Sequence, residues 1–413
     1  MNLKKLLVKY GRLRVINLHG LLLYCGHPLT NAPMKTESKH SPLTKTLDSW
    51  PESRIRALIA GATSADVTRA LGREVLHPED LAALLSPMAV PRLEEMARLA
   101  HRITRRQFGR TIGLYVPIYL SNVCASDCTY CSYAFHSGRE GERRTLTPEE
   151  IRTECQALAS HGFQNVLLLT GDHPQAAPVD YLVQAVAIAR EYFPSVSVEI
   201  YALKEEDYRR LVDAGLEGVT LYMETYHRET YDKVHLKGRK KDYAFRLGAI
   251  EAAGRAGVRR LSIGALLGLY DWHVDGFWAA LHARYLQKEC WQSAVSISFP
   301  RLFNVPARHT IRHPLSDKEL VQLMLALRLF LPEAGFNLST RERPELRDRL
   351  IPLGVTMMSA GSSTRPGGYA QYGGETLEQF ATEDRRSPEE VAEAIRKAGY
   401  DPVWKDFDRA FVE

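Results

Sequence analysis

The stretch Leu114-Tyr-Val-Pro-Ile-Tyr-Leu120-Ser-Asn-Val-Cys124-Ala-Ser-Asp-Cys128-Thr-Tyr130-Cys131 joins an apolar run of strand length to three cysteines spaced C-x3-C-x2-C. From residue 114 onward, short apolar runs alternate with amphipathic helical patterns, the signature of βα units around a parallel sheet. Strand candidates fall at 114–120, 165–170, 196–201, 218–223, 260–267, 294–299, 337–340 and 354–359. Eight βα repeats predict an α/β fold of the (β/α)8 barrel type, with ligands gathered at the C-terminal ends of the strands. The three cysteines sit at such an end.

The boundaries follow from the punctuation. Residues 48–110 read as a helical N-terminal region, with Pro78 and Pro91 at first-turn positions, 111–365 as the barrel, and 366–413 as a short C-terminal segment. Thr147-Pro-Glu-Glu150 and Ser316-Asp-Lys-Glu319 are capping boxes, and Ser387-Pro-Glu-Glu390 opens one further helix. Gly162, Gly215 and Gly257 stand where helices should end in a left-handed residue.

The formal charge of +5 belongs to the leader: residues 1–33 hold Lys4, Lys5, Lys9, Arg12 and Arg14 with no acid, so residues 34–413 sum to zero. A basic-patch argument for nucleic acid therefore fails. No apolar run has the length of a membrane span. The run from Gly20 to Cys25 imitates a secretory signal, but Asn17 and His19 break it. Residues 1–47 are expected to be a disordered or over-extended start, with Met34 as a second initiation site and an amphipathic surface helix as the alternative for 1–33. Six cysteines, three of them within eight residues, do not make a disulfide framework, and the chain is expected in the cytoplasm.

Cys124, Cys128 and Cys131 are the candidate metal ligands. Three thiolates on one compact loop leave one iron of a [4Fe-4S] cube without a protein ligand, open to a cofactor. A structural zinc or fully thiolate-capped centre is the non-enzymatic alternative. Zinc wants four N/S ligands, whereas the next cysteine, Cys155, lies inside a predicted helix. Cys25, Cys155 and Cys290 read as ordinary thiols.

The cysteine spacing resembles that of the radical S-adenosylmethionine (SAM) superfamily. Over residues 40–413 the resemblance narrows to the 2-iminoacetate synthase family, the tyrosine lyases of thiamine biosynthesis. It is carried by Leu120-Ser-Asn-Val-Cys-Ala125, Tyr222-Met-Glu-Thr-Tyr-His227, His235-Leu-Lys-Gly238, Ser298-Phe-Pro-Arg301, Ser339-Thr-Arg-Glu342, Pro366-Gly-Gly-Tyr369 and Pro402-Val-Trp-Lys-Asp406, in that order. The resemblance implies a [4Fe-4S] cluster and SAM as cofactors. It also implies that a 5′-deoxyadenosyl radical oxidises L-tyrosine at its amino group, and that the Cα–Cβ bond then breaks to give 2-iminoacetate (dehydroglycine) and p-cresol for thiazole synthesis. A thiazole synthase subunit and a flavodoxin or ferredoxin reductant are the implied partners.

Residue by residue, the resemblance places Tyr130 near the adenine, Asp172 of Thr170-Gly-Asp172 at the SAM ammonium group, and Glu224 as a second cofactor ligand. Asp172 stands where many relatives carry the longer Glu. Gly264 and Gly268 suit a close backbone approach to adenine or, equally, tight packing. For the substrate carboxylate, Arg341 and Arg301 are candidate clamps, with Ser359 as a hydrogen-bonding neighbour. Tyr226 and His227 are candidates for the phenol end. The tail around Trp404, Phe407 and Phe411 is a candidate docking element.

Two rivals follow. A hydrogenase-maturation tyrosine lyase would carry a second cluster on C-terminal cysteines, and no cysteine follows Cys290. A tryptophan lyase stays open, because sequence does not identify the aromatic pocket.

Overall fold

A computed structural model describes residues 42–370 and 376–404. The basic leader with Met34, and also Phe407 and Phe411, lie outside the described residues.

Structure begins earlier than the sequence suggests. Pro42–Asp48 is helical, with Leu43 and Leu47 buried one turn apart. Helices Glu52–Gly61, Ser64–Leu71, Pro78–Leu85 and Leu93–Phe108 follow. Pro78 opens its helix as expected. Pro91 instead lies inside a 3-10 turn, Pro87–Arg92, that precedes the next helix.

All eight expected strands form: β1 Thr111–Ser121, β2 Asn165–Thr170, β3 Ser195–Glu199, β4 Gly218–Thr220, β5 Arg260–Gly264, β6 Ala294–Ser298, β7 Gly335–Leu338 and β8 Met357–Ser359. Each pairs in parallel with the next, and β8 pairs with β1, which in turn pairs with β2 from Val116↔Val166 onward. The sheet is a closed eight-stranded barrel, and closure leaves those strands no free edge. Both expected capping boxes are present, as is the one at Ser387. Gly162, Gly215 and Gly257 have φ of 81°, 101° and 96°, the left-handed helix ends that glycine supplies.

One strand is additional. β9, Asp401–Val403, pairs in parallel with Thr111–Gly113, the part of β1 that precedes its pairing with β2. Asn165 pins this corner by donating Nδ2 to the carbonyls of Leu114 (3.3 Å) and Trp404 (3.2 Å). Trp404 packs edge-on against Phe163 at 5.4 Å between centroids and is half-buried against the core. No helix among the described residues is long and apolar enough to cross a membrane.

Candidate active site

The loop after β1 carries Cys124, Cys128 and Cys131, all free thiols. Cys131 packs against the cluster that holds Cys128 and Tyr130, and both Cys131 and Cys124 pack against the cluster of Tyr119, Tyr133 and Leu167. Burial, and then the neighbouring Cys131, raises the Cys124 thiol to about 11; burial raises the other two as well, partly offset by the charge of Lys240. Two glycines let other chain segments brace this loop. A Cβ on Gly171 would stand 2.3 Å from the Val123 carbonyl oxygen, and one on Gly238 (φ 90°) would stand 2.3 Å from Ser126 Oγ. Residues 234–237 are stitched to the loop by Asp127 N–H to the Lys237 carbonyl (3.0 Å), Leu236 N–H to the Asp127 carbonyl (2.9 Å) and Thr129 N–H to the Val234 carbonyl (2.9 Å). The string His235-Leu-Lys-Gly238 is therefore a brace for the cysteines.

Beside the loop, Ala125 N–H donates to the Asp172 carbonyl at 2.9 Å and Ser126 Oγ donates to Asp172 Oδ2 at 2.7 Å. Asp172 Oδ1 is buried with no hydrogen-bond partner. A buried carboxylate oxygen without a donor is costly, and it marks a place made for one.

A cavity of about 990 Å³, counting its open mouth, occupies the C-terminal end of the barrel. Cys131, Tyr130, Glu224, Arg341 and Ser359 line it, so the structure brings five of the expected residues together. Tyr130 is fixed by a 2.8 Å hydrogen bond between its hydroxyl and His235 Nε2. Glu224 has φ 66°, a left-handed conformation that costs a non-glycine residue on the order of 1–3 kcal/mol. Its carbonyl accepts from Leu266 N–H at 2.7 Å, and the strained turn aims its carboxylate at Lys240 Nζ, 2.5 Å away, with Arg246 at 3.7 Å. Ser359 Oγ accepts from Thr340 N–H at 2.9 Å.

Arg341 lies over the Phe380 ring at 3.6 Å, and its guanidinium donates to the Arg301 carbonyl over a long 3.4 Å. It forms no ion pair with a carboxylate among the described residues, and burial lowers its pKa. A half-buried guanidinium in that state favours an anionic ligand.

The structure places the other expected residues away from the cavity. Arg301 does not line the cavity: it is 4% exposed, and Glu342 holds its guanidinium in a bidentate pair while Asp317 (3.0 Å) and the Leu315 carbonyl (3.0 Å) take further donors. Tyr226 is buried with its hydroxyl on His282 Nδ1 at 2.9 Å, and His227 stacks on Tyr270 at 3.9 Å, so neither faces the cavity. A Cβ on Gly264 would meet the Ser298 carbonyl at 2.7 Å and the Tyr222 ring at 3.1 Å. One on Gly268 (φ 117°) would meet Leu302 Cβ at 3.0 Å, so packing accounts for both glycines.

The Radical SAM superfamily model matches residues 118–282, and the Biotin and Thiamin Synthesis associated domain matches 298–401. The chain is 45% identical to the 2-iminoacetate synthase of Escherichia coli over 87% of its own length and 94% of the relative's. The chain belongs to the 2-iminoacetate synthase family. The enzyme of that name from Salmonella typhimurium is 44% identical over the same shares. Among solved structures, HydG, a maturase of the [FeFe]-hydrogenase, superposes with a TM-score of 0.80 at 32% identity, over 87% of this chain and 81% of that one. Methylornithine synthase shares the fold, with a TM-score of 0.65 at 21% identity over 82% of this chain and 97% of that one.

As a radical SAM enzyme, this member of the 2-iminoacetate synthase family uses a [4Fe-4S] cluster and SAM. The residues present fit both groups: three free thiols on one braced loop, Cys128 buried and the other two half-buried, and an orphaned carboxylate oxygen beside them.

Sequence reasoning missed several members of the site. Lys240 and Arg246 balance Glu224, and Arg246 Nε also donates to the Tyr222 carbonyl at 2.7 Å. Glu199, at the end of β3, lines the cavity. The strap of residues 376–384 contributes Gln379 and Phe380, and Tyr119 donates its hydroxyl to Gln379 Oε1 at 2.7 Å. The string Pro366-Gly-Gly-Tyr369 anchors the base of this segment. Glu154 accepts from the Tyr369 and Ala370 amides (3.2 and 2.6 Å), and the Tyr369 hydroxyl donates to the Pro117 carbonyl at 2.7 Å.

Proposed function

We propose that this enzyme cleaves the Cα–Cβ bond of L-tyrosine to 2-iminoacetate and p-cresol for the thiazole ring of thiamine. The observation that carries the reading is near full-length similarity to curated 2-iminoacetate synthases, joined to a cavity that holds an arginine with no carboxylate partner among the described residues. When bound, the cluster and SAM supply the 5′-deoxyadenosyl radical that abstracts hydrogen. The chain's own residues do the rest. Cys124, Cys128 and Cys131 hold the cluster, and Asp172 Oδ1 receives the ammonium group of SAM. Tyr130 and Glu224 flank the cofactor, while Arg341 and Ser359 hold the substrate carboxylate. The strap bearing Gln379 and Phe380 screens the mouth from water, as a reactive carbon radical requires.

Thiazole synthase as the consumer of 2-iminoacetate, a flavodoxin or ferredoxin as electron donor, and a cytoplasmic location belong to the same proposal. They are supported by the lability of the product and by the need of an exposed cluster for a reducing compartment.

Anaerobic, reduced holoenzyme given tyrosine is expected to release p-cresol and 5′-deoxyadenosine. Turnover of tryptophan with none of tyrosine would replace this reading with the tryptophan-lyase one. Arg341→Lys loses the planar fork, and tyrosine KM is expected to rise on the order of 10- to 100-fold, the equivalent of about 1.5–3 kcal/mol of charge-assisted hydrogen bonding. SAM affinity should not change; steady-state kinetics and SAM binding together check the assignment.

A further inference from the structure

Tyrosine cleavage leaves a proton requirement that none of the residues assigned above meets. After hydrogen abstraction, Cα–Cβ scission gives 2-iminoacetate and a 4-hydroxybenzyl radical. That fragment becomes p-cresol only by taking one electron and one proton. The electron comes from a one-electron donor of the reduced flavin or iron–sulfur class; the proton must come from an acid in the cavity.

Two carboxyl groups line the cavity, Glu199 and Glu224. Glu224 is held by Lys240 at 2.5 Å, so both partners of that pair are committed. Tyr115, Tyr119, Tyr130 and Tyr222 also line the cavity, but burial raises every one of their hydroxyls, which makes them poor proton donors. Glu199 remains, with no ion pair among the described residues. It closes β3, four strands around the eight-stranded barrel from β7, after which Arg341 stands. A substrate held at Arg341 by its carboxylate therefore extends its aryl half toward the wall that carries Glu199.

From this geometry we infer that Glu199 is the proton donor to the aryl fragment, delivering its carboxyl proton to the benzylic carbon as the electron arrives. The new C–H bond completes p-cresol, Glu199 is left as carboxylate, and a proton from solvent restores it. The assignment rests on the tyrosine-lyase reading above.

The surroundings suit the role. Burial, and then the charge of Glu224, raises Glu199 to about 7 against the opposing charges of Lys240, Arg341 and Arg246, so the acid is populated at neutral pH. Below it, a space of about 510 Å³ lined by Ser197, Ser262, Ser296, Ser298 and Asn337 shares Tyr115 and Tyr222 with the cavity. A barrel interior is more often filled by Val, Ile and Leu, and this polar column gives a proton a route to the carboxyl.

The test compares wild type with Glu199→Gln and Glu199→Asp. Reconstituted Glu199→Gln should still bind tyrosine and form 5′-deoxyadenosine, while p-cresol per 5′-deoxyadenosine falls by about 100-fold or more. Glu199→Asp should recover part of the loss. In wild type the p-cresol rate should fall as pH rises through about 7, a limb absent from the Gln variant. Independently of turnover, the infrared difference between cofactor-free wild type and Glu199→Gln should contain a protonated carboxyl band that vanishes across that range, while the band of Asp275, which burial also raises to about 7, is common to both proteins and cancels. If the Gln variant makes p-cresol at the wild-type ratio and pH profile, or the difference contains no such band, the assignment is overturned. If wild type shows the band but makes no p-cresol from tyrosine, the tyrosine-lyase reading fails and the donor role falls with it.

Discussion

Replacing Cys131 with alanine is expected to reduce 5′-deoxyadenosine formation to the background of iron-free protein and to leave reconstituted iron far below four per chain. Cys131 is the one of the three cysteines that lines the cavity. Removing one of three thiolates leaves two, too few to seat a cube that already has one open iron. Cys155 and Cys290 give the control. Cys155 is fully buried inside the helix Pro148–Ser160, and Cys290 ends the helix Trp272–Glu289 with its sulfur against Gly254. Alanine at either position should leave iron content and activity near wild type. Iron analysis and electron paramagnetic resonance on all three variants decide the matter; full iron in Cys131→Ala would refute the ligand assignment.

The second large effect is on stability. Arg347 and Asp384 are each fully buried and paired, and Arg347 also donates to the Ser359 carbonyl. Burial pushes Asp384 up, but hydrogen bonds from Arg386 and the charge of Arg347 win and hold it below the ordinary carboxylate range. Arg347→Met leaves Asp384 with Arg386 alone, and unfolding free energy should fall by about 3 kcal/mol in urea denaturation. Tyrosine KM should rise as well, because the end of β8 that carries Ser359 loses its anchor. Arg347→Met combined with Asp384→Leu should recover much of the stability, since no lone buried charge remains. A group with a depressed folded pKa stabilises fully above its unfolded value of about 3.9, and the contribution is lost as pH falls through the lower folded value. The pair's contribution therefore persists to acid pH in wild type, and an unchanged acid denaturation midpoint in the double variant would contradict this account.

The eight barrel strands were legible because each is a short apolar or alternating run set between amphipathic helices, several of them marked off by a glycine or a capping box, signals that depend on neighbours in sequence. β9 was not, because Asp401-Pro402-Val403 is three residues with a proline, and only the unpaired start of β1 makes it a strand. The cysteine loop was legible from spacing alone. The separation of Arg341 from Arg301 was not, since both follow barrel strands; the difference is Glu342, whose reach back to Arg301 is a tertiary fact. Glu199 left a signal that went unread. In Val196-Ser197-Val198-Glu199 the valines face the outer helices, so period two sets a charge inside the barrel beside a serine. The strap gave no signal, because Gln379 and Phe380 acquire meaning only when folded over Tyr119 and Arg341.

The pairing of β1 with both β8 and β9 sets an order of events during synthesis. The cysteines emerge from the ribosome directly behind β1, yet the neighbours that complete that strand are made some 240 to 290 residues later. At translation rates of roughly 5–20 residues per second, the nascent thiols wait on the order of ten seconds or more beside an unfinished wall. Metal delivery that respects the finished architecture must therefore be post-translational, and a chain truncated before Asp401 should emerge as a poor recipient of iron even with every cysteine intact.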